Sequence, residues 1–96
     1  TRLTLKELAP VRLLKNKFYQ EVEQAYANCA TPDQLKELLG RARAKKGMFE
    51  GDLEEGELEI GQVAALIHEI LPAARIVTNL VEEFGEARRE VSSIDF

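Results

Sequence analysis

Asp52, Glu54, Glu55, Glu57 and Glu59 form the densest cluster of potential cation ligands in this chain. An EF-hand loop needs Gly at its sixth position and Glu at its twelfth. Counted from Asp52, those positions hold Glu57 and Val63. The run therefore reads as a solvated loop. A basic run, Arg41, Arg43, Lys45 and Lys46, lies just upstream. Its charge suits a phosphate or a nucleic acid, and equally the acidic run beside it. His68 is the only histidine. One imidazole cannot supply the roughly four ligands of a protein zinc site. General-base chemistry is open to it in principle, but no Ser or Cys nucleophile stands at a recognisable spacing, so it reads as a surface or helix-packing residue. Cys29 falls on an apolar helical face and reads as a small core residue. Gly61-Gln62 is the better site candidate. A glycine at a helix start lets a ligand or another backbone approach closely, and the free N–H groups there favour an anion. The glutamine amide adds a donor and an acceptor. An ordinary first turn with a polar second residue has the same sequence.

Composition narrows the classes. The chain has 96 residues, 45% hydrophobic and 31% charged, with a net charge of −4. This is one domain at most, folded and soluble rather than disordered. A negative balance disfavours nucleic acid as a bulk electrostatic partner. A single cysteine excludes an internal disulfide framework and fits a reducing compartment. No apolar run approaches the length of a membrane span, and the first residues lack the apolar core of a signal peptide. The chain begins at Thr1, which a trimmed initiator and a missing upstream portion explain equally well.

The elements that must carry these residues read as mainly α: a short extended lead-in followed by four to five helices. Leu3–Leu8 alternates weakly, Pro10 closes it, and Val11–Leu14 is a brief apolar run. Both read as extended segments that need neighbours to pair with. Asn16 is a candidate N-cap for a helix whose buried face is Phe18, Val22, Ala25 and Cys29. Thr31-Pro32-Asp33-Gln34 carries a stronger start signal: Thr at the cap, Pro at the first helical position, Gln at the third. Leu35, Leu38 and Leu39 face inward and Gly40 is a left-handed cap. Arg41–Lys46 reads as a short solvated helix. From Gly61-Gln62 a helix is expected through Val63, Leu66, Ile67 and Ile70, until Pro72 breaks it or starts the next one. Ala73, Ile76, Val77, Leu80, Val81 and Phe84 form the most regular apolar stripe. Gly85 is a candidate cap for it, and Glu86–Phe96 a polar tail whose Val91, Ile94 and Phe96 could dock elsewhere.

Four stretches, in order, carry a resemblance: PVRLLKN at Pro10–Asn16, LLGRARAKKGMFEGD at Leu38–Asp52, EGELEIGQVAALI at Glu55–Ile67, and AARIV from Ala73. Together, over roughly residues 10–84, they resemble the C-terminal segment of the FMN-dependent family of nitronate monooxygenases (2-nitropropane dioxygenases) and enoyl-acyl-carrier-protein reductases II. The resemblance implies that residues 1–15 end a TIM-barrel domain and residues 16–96 are a helical subdomain packed on it. Such barrels carry their sites at the C-terminal ends of the strands. It further implies FMN bound mainly by the barrel, NADH or NADPH as a possible electron donor, and a small-molecule or acyl-thioester substrate, with a place in fatty acid biosynthesis for the reductase. Gly61 and Gln62 match the family's Gly-Gln motif and are the implied cofactor contacts. Ala65 stands where family members often have Gly. The family's catalytic histidine is absent, and His68 does not occupy its motif, so no catalytic residue is assigned. The implied setting is cytoplasmic, without nucleic acid or membrane, as a homo-oligomer or packed against the barrel. The 96 residues alone are expected to be inactive. A stand-alone helical interaction module is the alternative, its Ala73–Phe84 stripe buried against a partner.

Overall fold

The computed structural model describes all 96 residues, and the chain is mostly helical, with 52% of residues in helices and a short two-stranded antiparallel sheet. The two extended segments need no outside partner: they pair with each other. Strand β1 (Arg2–Thr4) runs antiparallel to β2 (Val11–Leu13), with Leu3 opposite Arg12. The connection lacks the Asn-Gly or Gly-Gly signal of a tight hairpin. Leu5 instead adopts φ 52 and the Leu8 N–H donates to the Leu5 carbonyl at 3.0 Å. A leucine there is strained, and the compensation is burial, since Leu5 is only 1% exposed.

Helix α1 (Lys17–Ala27) starts where expected, with the Asn16 side chain accepting the Tyr19 N–H. Phe18 and Val22 are fully buried and Tyr19 nearly so. Cys29 corrects the sequence reading: it is exposed and lies beyond the helix. The Ala30 N–H reaches the Ala25 carbonyl and the Cys29 N–H the Tyr26 carbonyl, both at 3.0 Å, with Cys29 at φ 56. This is a Schellman closure with cysteine where glycine is usual. Cys29→Gly is therefore expected to stabilise the fold by about 1 kcal/mol, the left-handed penalty removed less glycine's extra chain entropy. Urea melts followed by Tyr fluorescence read it directly, and a lowered midpoint would contradict the assignment.

Helix α2 (Pro32–Leu39) has the full capping box: Thr31 accepts from the Gln34 N–H, and the Gln34 side chain accepts from the Thr31 N–H. Leu35 is its buried anchor. Gly40 has the positive φ anticipated, but with ψ −157 it is extended rather than left-handed helical, a region open essentially to glycine alone. That turn redirects the chain into α3 (Arg43–Met48), which begins two residues later than expected and continues through Gly47.

The core is one cluster, Leu5, Leu13, Phe18, Tyr19, Val22 and Leu35, drawn from the hairpin and from α1 and α2. Residues on both sides of position 15 therefore share it.

The C-terminal third departs most from expectation. The helix after Gly61 is a 3-10 turn over Gln62–Leu66 only, and the chain is extended at Ile67. Val63, Ile67 and Ile70 are β-branched, and Pro72 disfavours helix in the residue before it. Pro72 sits at the N-cap of α4 (Ala73–Ser92). Gly85 does not end that helix. Glu86, Ala87, Arg88, Arg89 and Glu90 are strong helix formers that carry it on to Ser92. Val91, Ile94 and Phe96 are exposed and dock nowhere on this chain. No α4 residue is buried. The radius of gyration is 18.2 Å, with extents of 54 × 34 × 19 Å, against about 13 Å for a compact chain of 100 residues. The molecule is thus a small core-bearing body with a helical arm. No helix is long and apolar enough to cross a membrane.

Candidate functional site

Gly61 and Gln62 stand at the junction between body and arm, so what fixes that junction matters most. The acidic loop is a strap that returns the chain from α3 to the sheet. The Leu14 N–H donates to the Leu58 carbonyl at 3.1 Å and the Ile60 N–H to the Arg12 carbonyl at 2.9 Å. Glu59 bridges Leu13, so the strap lies antiparallel along β2 on the edge that β1 leaves free.

Asn16, Arg43, Gly56 and Asp52 hold and shape the strap. Asn16, while capping α1, donates through Nδ2 to the carbonyls of Leu53 (3.0 Å) and Gly56 (2.8 Å). Arg43 spreads its guanidinium over the carbonyls of Leu38 (2.9 Å), Leu39 (3.1 Å) and Glu55 (2.9 Å). Its charge also lies 4.6 Å from the Phe18 ring centre, within cation–π range. Gly56 packs against Gly47 so closely that a Cβ on Gly56 would stand 2.3 Å from the Gly47 Cα. Asp52 folds the strap's first turn by accepting the N–H groups of Glu54 and Glu55 at 3.1 and 2.9 Å.

The basic run meets the acidic run. Arg43 and Lys17 both pair with Glu55, Lys46 lies 3.9 Å from Asp52, and Lys45 lies 4.0 Å from Glu50. Most of these groups are partly exposed, so each pair contributes little alone. Glu50, Asp52 and Glu55 are spent on separate cations, and no three His, Cys, Asp or Glu side chains group to hold a metal ion.

Glu57 is the one buried acid, 8% exposed, and like Glu54 and Glu59 it forms no ion pair. Burial raises its carboxyl above the ordinary range; Glu59 adds to this and Arg43 opposes it. The folded state then holds the proton more tightly than the unfolded chain. Stability therefore falls as pH rises from the unfolded value to the raised one. Asp52 and Glu55 behave oppositely. The Glu55 N–H lowers Asp52 first, and the Lys17 hydrogen bond lowers Glu55 first. Their contributions are present above the ordinary carboxylate range and disappear as pH falls through the lowered values. Glu57→Gln is accordingly expected to raise the urea midpoint at neutral pH and leave it nearly unchanged below the ordinary glutamate range. Equal shifts at both pH values would remove ionisation as the cause.

From this anchored edge the chain leaves at Gly61, extended at φ −87 and ψ 166, into the 3-10 turn. Gly61 and Gln62 are exposed. Neither they nor Val63 has a protein acceptor for its backbone N–H, and the Gln62 amide is unpartnered. A Cβ on Gly61 would meet only Val63, at 3.9 Å. Beyond them a groove of about 580 Å³ opens between the Val63–Leu71 segment and α4. Its apolar lining is Val63, Leu66, Ile67, Leu71, Ile76 and Leu80, and His68 is among its polar lining residues. Gly61 and Gln62 lie outside it. The structure thus brings neither His68 nor Cys29 to the junction.

Asn16 had been legible only as a cap and Arg43 only as one charge in a run. The Asn16 carbonyl partners on the strap are 37 and 40 residues away in sequence, and Arg43 joins two α2 carbonyls 4 and 5 residues back to one 12 residues ahead; no local pattern shows these longer links. No protein-family model matches the chain, and no curated protein matches it. Fold and junction together define a class: a small α-rich body that presents an amphipathic arm with its apolar face uncovered.

Proposed function

We propose that this chain is the C-terminal part of an FMN-dependent oxidoreductase, an enoyl-acyl-carrier-protein reductase II or a nitronate monooxygenase. In this reading it helps cover the flavin and substrate cleft. The observation that carries the reading is the bare apolar face that follows Gly61-Gln62. Val63, Leu66, Ile67, Ile70, Val77, Leu80 and Phe84 are between 60% and 104% exposed, within the stretch that resembles the family. Burying side chains of this kind stabilises by about 1.5–3 kcal/mol each, so a covering body would bind the arm strongly.

Gly61 and Gln62 fit a peripheral contact with FMN. Three consecutive unpaired N–H groups and a free amide suit an anionic or carbonyl edge, and the missing side chain at Gly61 lets such a group approach the backbone closely. When bound, FMN would supply the redox chemistry, a hydride from NADH or NADPH giving the reduced flavin that reduces an enoyl thioester or reacts with oxygen and a nitronate; this chain's residues would help position it and exclude water. His68 and Cys29 take no catalytic role. The compartment in this reading is the cytoplasm.

The same bare face fits a second reading, a stand-alone helical interaction module. Intact mass and visible absorption of the protein from its native source separate the two. A mass well above 10.8 kDa with flavin bands is the expected result, and enoyl thioesters and nitronates then become the substrates to compare. A colourless 10.8 kDa species would overturn the enzyme reading in favour of the module. The isolated 96 residues are expected to bind no FMN and to reduce none with NADH or NADPH.

A further inference from the structure

We draw no further inference here: the strongest candidate, the apolar stripe of α4 with the groove that the Val63–Leu71 segment forms beside it, belongs to the surface already used for the proposed function, and nothing in the structure shows what else covers it.

Discussion

Gly56→Ala is expected to lower the stability of the body by about 3 kcal/mol, the upper end of ordinary overpacking. The added methyl would stand 2.3 Å from the Gly47 Cα, 2.5 Å from the Asp52 carbonyl oxygen and 2.6 Å from the Gly47 nitrogen. All three are backbone atoms, so no side chain can swing aside. The strap would have to lift, and with it the Asn16 hydrogen bond to the Gly56 carbonyl. Urea unfolding followed by Tyr fluorescence measures this, because Tyr19 is buried in the core. Gly61→Ala is the control. Its φ is −87 and its Cβ position is open, so the same change there is expected to be neutral or slightly stabilising. Equal effects at the two glycines would refute the close approach of Gly47 and Gly56.

Arg43→Ala is expected to cost a similar amount, about 3 kcal/mol, for a different reason. The guanidinium satisfies the Leu38 and Leu39 carbonyls at the end of α2 and the Glu55 carbonyl on the strap. Truncation leaves all three short of a donor and exposes the Phe18 ring that the cation covers. Glu55 itself keeps Lys17, so loss of the ion pair is a minor part. Arg43→Lys separates the causes. It retains the charge but not the planar fork that reaches three carbonyls at once, so it should recover less than half of the loss. Full recovery by lysine would mean that charge alone matters. A loss under about 1 kcal/mol in the alanine variant would mean that the strap holds without the arginine.

Both variants act on residues whose importance is non-local, and this separates what could be read early from what could not. Helix starts were legible. Asn16 and Thr31-Pro32-Asp33-Gln34 begin α1 and α2 as expected, because a cap is satisfied within three residues of itself. The apolar faces of those helices were legible for the same reason, since period and burial agree wherever a core exists to receive them. Helix ends were less so. Cys29 belongs to the apolar period of α1 but falls beyond the end of the helix, in a closure that glycine usually marks. Gly85 carries the usual stop signal, and α4 runs through it.

The segment after Gly61 shows the limit in the other direction. Val63, Leu66, Ile67 and Ile70 have helical spacing, yet the helix stops at Leu66. Nothing in this chain covers their apolar face, so β-branching and Pro72 prevail over periodicity. Sequence by itself determined the mainly helical class, two of the helix starts and the amphipathic character of α4, all of them set by interactions spanning a few residues. Only the tertiary structure decided that the lead-in closes on itself as a hairpin, that the acidic loop is a strap along β2, and that Gly61 and Gln62 stand exposed at its exit. Those outcomes depend on hydrogen bonds and backbone contacts between residues far apart in the chain. Any one such pairing depends on the others having formed, so no local pattern encodes it.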